Sequence, residues 1–364
     1  MAVDMTKRHH VTVADLNLSV LERVKRKCSE VAIRRLDVTD IEELQDHIKG
    51  YDLVINAVPG FLGFETLKSI IGAGMNVVDI AFFSENSLDL DVLAKEHGVT
   101  AIVDCGVAPG MDNVILGYHN EIMKLTHFEC LVGGLPKVRK WPFCYKAPFS
   151  PIDVIEEYTR PARYVEHGEL VVREPLTDCE YVEFEKVGTL ESFNSDGLRS
   201  IIYTMPHIPN MKEKTLRYPG HVQYVKMLKE SGFFNTESIE VDGRNISPLD
   251  VTSKILFNEW KLGEAEEEIT VMRVTLKGEN PGGQMEEVVY TMHDEYNTKT
   301  GTSSMARATG YTATAAANLF LDGLFNEKGV FPPELVGKHK VCFDYFLNYL
   351  EERNIFYRKS SHLI

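Results

Sequence analysis

Residues 52–58 read Asp-Leu-Val-Ile-Asn-Ala-Val and run into Pro59-Gly60. The run is too short and too evenly apolar for an amphipathic helix. It reads as a strand in a sheet covered on both faces. Residues 41–49 upstream carry helical periodicity, with Thr39 or Asp40 as the cap and Glu43 in the first turn. Before them come a strand at 31–36, a polar-faced helix at 19–29 with Val20, Leu21 and Val24 inward, and a strand at 11–15, Val-Thr-Val-Ala-Asp. Downstream, a helix at 66–73 stops at Gly74, a strand follows at 76–80, a helix at 88–96 ends before Gly98, and another strand covers 100–104. Strands alternating with helices through short connections predict a parallel, doubly wound sheet.

After Pro109 the alternation is lost. Stretches at 127–135, 169–193 and 267–292 are β-rich, with helical patterns at 151–158, 220–230 and 247–258. This predicts an α+β domain. A small-residue helix is expected over 303–324, and a last helix at 340–353 follows Pro332-Pro333. The predicted organisation is α/β: a Rossmann-like domain from 1–108 plus 305–364, with its C-terminal helices returning, interrupted by an α+β substrate and dimerisation domain at 109–304.

The 364 residues carry a formal net charge of −15, which argues against nucleic acid as a partner, because a phosphate backbone needs a basic face. No apolar run is long enough for a membrane span, and the N-terminus lacks a signal-peptide core. The six cysteines form no Cys-x-x-Cys pair and the histidines lack zinc spacing, so no metal is expected and a reducing, cytoplasmic setting is. The acidic run 264–268 reads as a solvated face.

Ligands of doubly wound sheets sit beyond the carboxyl ends of the strands. Asp15 lies at such an end. It reads either as the acceptor of the ribose hydroxyls of NAD, repelling the extra phosphate of NADP, or as a helix cap. Asp37 and Val38 follow the next strand, as an adenine edge or a simple turn. Ala57, Val58 and Pro59 end the run at 52–58, and their small or apolar character lets a dinucleotide approach the backbone. Asp79 faces the same crevice. The glycine-rich turn that holds a pyrophosphate should precede the acidic residue by ~20 positions. Counting back from Asp15 passes residue 1. Residues 1–10 read as the tail of the helix after that turn. The expectation is that this chain lacks the first strand and glycine loop, and binds NAD poorly.

From residue 52 onward, VINAVPGFLGF (54–64), VDCGVAPGMDN (103–113), GGLPK (133–137), FCYKAPFSPIDVIEEYTRPARY (143–164), SDGLRS (195–200), TLRYPGH (215–221) and ARATGYTA (306–313) occur in this order. These blocks resemble the saccharopine dehydrogenase superfamily along essentially the whole chain. PGFLGF, YTRPAR and LRYPGH are most similar to its lysine 6-dehydrogenase branch. Saccharopine reductases resemble the chain in GGLP and TLRY, but show Leu-Asp-Pro-Gly where Val107-Ala108-Pro109-Gly110 stands, and a cysteine where Val132 stands. The resemblance implies NAD-dependent oxidation of the ε-amine of a small amino-acid substrate, L-lysine, and a homodimer or larger homo-oligomer. Saccharopine or carboxyspermidine-type reduction is the alternative, and a non-catalytic paralogue a further one.

Amine oxidation requires a proton acceptor, a hydride path to nicotinamide and groups for the amino-acid end. Lys146 is a candidate base or water activator, or a surface lysine. Asp79 and Asp112 are further catalytic candidates. Asp112 and Asn113 read equally as the opening of a helix. Arg199 and Arg217 are candidates for the substrate carboxylate and Asp196 for its α-amine; each reads also as a structural ion pair. His221 is a substrate or structural histidine. Thr309 and Gly310 would let the nicotinamide approach, or simply pack a helix.

Overall fold

The computed structural model describes residues 1–147, 151–263 and 266–364. Two compact units emerge: Met1–Tyr118 with Thr309–Asn354, and His119–Ala308 with Ile355–Ile364.

In chain order the first unit begins with α1 (Ala2–Met5), β1 (Thr12–Asp15), α2 (Leu18–Lys27), β2 (Ala32–Arg35), α3 (Ile41–Ile48), β3 (Val54–Asn56), α4 (Gly60–Gly72) and β4 (Val77–Asp79). It continues through α5 (Asp91–Glu96), β5 (Thr100–Ile102) and α6 (Met111–Ile122). The second unit carries β6 (Lys124–Pro136), α7 (Pro151–Thr159), β7 (Ala162–Glu166), β8 (Glu169–Arg173), β9 (Glu180–Phe184) and β10 (Gly188–Asn194). Then come α8 (Ile201–Thr204), β11 (Asn210–Arg217), α9 (His221–Glu230), β12 (Ile239–Val241), β13 (Arg244–Ile246), α10 (Pro248–Trp260), β14 (Glu268–Glu279) and β15 (Met285–Glu295). Helix α11 (Ser304–Leu321) precedes β16 (Gly329–Phe331), α12 (Pro333–Gly337), α13 (Lys340–Glu351) and β17 (Tyr357–Leu363).

The alternation expected through residue 104 is present, and all strand pairs in the first unit are parallel. They form two sheets, β1-β2 and β16-β5-β4-β3. Tyr51 Oη donates to Thr12 Oγ1 at 2.9 Å and links them. Val77, Ala101, Leu67, Ile71 and Val330 make the core of the larger sheet, burying apolar area worth roughly 25 cal/mol per Å². Residues 1–10 are helical at their start, as read. Buried Asp4 of α1 accepts hydrogen bonds from Thr314 at 2.8 Å, Tyr349 at 2.7 Å and Arg353 at 3.0 Å, which tie α1 to α11 and α13.

The second unit is built on a nine-stranded sheet ordered β17-β15-β14-β6-β11-β10-β9, with β7 and β8 branching from β11. Its long strands β6, β14 and β15 are the β-rich stretches of the sequence. Strand β17 was not expected: residues 357–363 alternate poorly and are exposed, yet they pair with β15 along its length. The last residues therefore belong to the second unit's sheet and not to the returning helices. One further reading is corrected. Of the acidic run, residues 264 and 265 lie outside the described residues, whereas Glu268 is 1% exposed, because β14 begins there and turns it beneath the start of α11.

Candidate functional site

The first unit gathers one set of candidates at the carboxyl ends of its parallel strands. Asp15 ends β1 and is exposed; its Oδ1 accepts the Asn17 N–H at 2.7 Å. Asn17, not Asp15, caps α2. Asp37 forms a turn, accepting the N–H of Thr39 at 3.0 Å and its hydroxyl at 2.6 Å, and that hydroxyl holds the carboxyl below its ordinary range. Val38 packs on the core. Ala57, Val58 and Pro59 form the turn from β3 into α4; Ala57 and Pro59 are exposed, and Pro59, the N-cap residue, makes no side-chain cap bond to α4. Asp79 is fully buried. It accepts from Asn56 Nδ2 and from the Ala81 N–H, tying the ends of β3 and β4 together.

Asp112 and Asn113 sit in the first turn of α6, and both side chains accept from the Gly110 N–H, at 2.9 and 3.4 Å. Asn113 also donates to Glu334 at 2.9 Å. Gly110 has φ +149°, and a Cβ there would lie 1.8 Å from the Gly106 carbonyl, so this turn requires glycine. Thr309 is half-buried near Gly106, and a Cβ on Gly310 would meet Met1 at 3.4 Å. These two positions thus have a packing duty within the first unit.

In the second unit, Arg217 is the centre of a buried aromatic cluster. It is 2% exposed. Its Nε donates to Tyr158 Oη at 3.1 Å, Nη1 to the Leu216 carbonyl at 2.9 Å, and Nη2 to Glu157 at 2.8 Å and Tyr145 Oη at 3.4 Å. The guanidinium lies 4.4 Å from the Tyr145 ring centre. His221 opens α9 in the same cluster. Its Nδ1–H donates to the Phe143 carbonyl at 2.9 Å, which leaves Nε2 to accept the Tyr158 hydroxyl at 2.9 Å. Burial, with the Arg217 charge, lowers its pKa to about 3 and keeps the ring neutral. Trp260 and Phe143 close the cluster.

The loop Ser195–Ser200 is buried throughout. Asp196 is held by Arg163 in a two-pronged pair at 2.9 Å for both bonds. Arg199 is 6% exposed and adopts φ +46°, an unfavourable conformation for a non-glycine residue. Gly197 lies against Glu213, whose carboxylate would be 2.0 Å from an added Cβ. Lys146 is half-buried, and its ammonium donates to the Glu259 carbonyl. The structure therefore joins Arg217 with His221, and Asp196 with Arg199 on one loop. Tyr145, Glu157, Tyr158 and Glu268 were missed by sequence reasoning; the first three lie inside the block at 143–164 that carried the resemblance, whereas Glu268 gave no signal beyond its charge.

A parallel, doubly wound unit together with an α+β sheet unit is the architecture of two-domain dehydrogenases. The family models agree: "Saccharopine dehydrogenase NADP binding domain" matches residues 1–102 and "Saccharopine dehydrogenase C-terminal domain" residues 106–355. The chain belongs to the saccharopine dehydrogenase family. It is 27% identical to an alpha-aminoadipic semialdehyde synthase of Arabidopsis thaliana over 72% of this chain, but spans only 26% of that protein's length. It is 24% identical to the saccharopine dehydrogenase [NADP(+), L-glutamate-forming] of Pyricularia oryzae, over 89% of this chain and 88% of the relative. The solved saccharopine dehydrogenase (L-Glu forming) of Saccharomyces cerevisiae superimposes with a TM-score of 0.79 at 20% identity, covering 99% of this chain and 96% of that one, a likeness of fold. No helix among the described residues is long and apolar enough to cross a membrane.

Proposed function

We propose that the chain is an NAD-dependent dehydrogenase that oxidises the ε-amine of L-lysine, giving 2-aminoadipate 6-semialdehyde and ammonia. The observation that carries this reading is the charge pairing in the second unit. Arg217 is matched by Glu157, Lys214 by Glu180 and Arg163 by Asp196. A substrate with three carboxylates, as saccharopine has, would need cations that these acids already hold. Lysine brings a single carboxylate, and Arg199, on the same buried loop as Asp196, is proposed to bind it alongside the contacts it already makes. Ala108 and Val132, in place of the polar residues of saccharopine reductases, support the same choice.

Asp15 fits the ribose of a nicotinamide dinucleotide: it is exposed at a strand's carboxyl end, and its Oδ1 is fixed by Asn17. The amino end of α4, where Pro59 makes no side-chain cap bond, would face a ligand with backbone N–H groups. Bound there, the cofactor would supply the hydride acceptor. Asp79 and Asp112 hold backbone turns in place, whereas the Lys146 ammonium donates to the Glu259 carbonyl, so Lys146 is proposed to position the attacking water. Saccharopine or carboxyspermidine-type reduction is the second reading, favoured by the names of the relatives. Steady-state assay of the purified chain, or of a version extended at its N-terminus, with NAD and NADP decides between them. L-Lysine should reduce NAD and saccharopine should not; turnover of saccharopine without lysine turnover would overturn the assignment.

A further inference from the structure

Strand β14 starts with Glu268 and places Thr270, two residues on, on the same face of the sheet. Thr270 stands opposite Gly134 of β6 on one side and Asp294 of β15 on the other. Gly134 puts no side chain beside it. Glu268, Thr270 and Ser304, the first residue of α11, are each 1% exposed or less. Asp294 is neutralised: Arg307 Nε and Nη2 both donate to it at 3.1 Å. Glu268 is not. Its Oε1 accepts the Met305 N–H at 2.9 Å, and Ser303 and Ser304 also face the carboxyl. Its charged neighbour is Asp294, of like sign, whose own counter-ion Arg307 is committed.

Three buried oxygens in this group, Glu268 Oε2, Thr270 Oγ1 and Ser304 Oγ, have no hydrogen-bond partner among the described residues. Buried polar atoms left unmatched cost on the order of 1–3 kcal/mol each, so such a group is retained for what completes it. One carboxylate oxygen and two hydroxyl oxygens match the three N–H donors of a primary ammonium. A carboxylate without a counter-ion supplies the missing charge, and the amino end of α11 favours its ionised form.

We propose that Glu268, Thr270 and Ser304 form a subsite for a primary ammonium group of the substrate. This rests on the amine-dehydrogenase reading above and deepens it. Burial, and then the Asp294 charge, raise the Glu268 pKa to about 7, so ammonium binding should expel a proton and strengthen as pH rises through neutrality.

Calorimetric titration of the full chain with n-butylamine, and with n-butanol as its uncharged counterpart, tests the subsite. The expected result is butylammonium binding at pH 8 that weakens about tenfold by pH 6, with no binding of butanol. Glu268→Gln should reduce affinity at least ~tenfold and remove the pH dependence; Thr270→Val should weaken binding a few-fold, and it decides the matter if the glutamine variant does not fold. Absence of butylammonium binding to the wild-type chain, equal binding of butanol, or unchanged affinity in a folded Glu268→Gln or Thr270→Val variant would overturn the proposal, and ordered water would then account for the three oxygens. Failure of lysine turnover with Glu268-dependent butylammonium binding intact would count against the proposed reaction alone. Lysine turnover with a KM unchanged in Glu268→Gln would count against the subsite alone.

Discussion

Replacing Arg217 by methionine separates a structural arginine from a substrate-binding one. The guanidinium makes four hydrogen bonds among the described residues and is 2% exposed. Removing one partner of a buried ion pair costs about 3–5 kcal/mol, chiefly because the other charge is left unmatched. Glu157 is 19% exposed, so water partly solvates it, and the lower end, about 3 kcal/mol, is expected. Methionine refills much of the volume, which keeps cavity terms small. Glu157→Gln retains an acceptor but leaves the more deeply buried Arg217 charge unmatched, so it should also cost about 3 kcal/mol. In the double variant no lone charge remains, and the coupling between the two positions should be about 1–2 kcal/mol. Urea unfolding at pH 7, followed by circular dichroism, measures all three, with the lysine KM recorded in parallel. If Arg217→Met lowers stability by less than ~1 kcal/mol while raising KM at least about tenfold, the arginine binds substrate and the structural account is wrong.

Asp15→Ser should narrow the preference for NAD over NADP, since a carboxylate at that strand end opposes a 2′-phosphate; equal use of both cofactors by the unmutated chain would show that Asp15 has another role. His221 should make the second unit acid-sensitive. Its folded pKa, about 3, lies below the ordinary value of 6.5, so its contribution is intact above pH 6.5 and is lost as pH falls toward 3. The slope in that window should be about 1.4 kcal/mol per pH unit, and His221→Gln should flatten it; parallel stability curves for the two proteins would refute this.

The order of strands and helices through residue 104 was legible in the sequence because each element has its own period and its own stop signal. Gly74, Gly98 and the apolar run at 52–58 are local statements, and the backbone obeys them. The long strands of the second unit were legible for the same reason. Strand β17 was not. An exposed edge strand has no buried face to impose alternation, so its pairing partner, β15, lies in no pattern of residues 357–363 themselves.

The site shows the same division. Sequence marked Arg217, His221, Asp196 and Arg199 as residues whose chemistry needs a partner. It did not say which partner, because the bonds that settle their state span tens of positions: Arg217 to Glu157, His221 to Tyr158, Asp196 to Arg163. Glu268 is the sharpest case. In the sequence it closes an acidic run and reads as solvated surface. In the fold, β14 begins at that residue and α11 begins above it, so the carboxyl is carried out of water. The residue types and their order came from local chemistry. Which charges are matched, and which is left open, was decided by strand register and burial, properties of chain segments brought together only by folding.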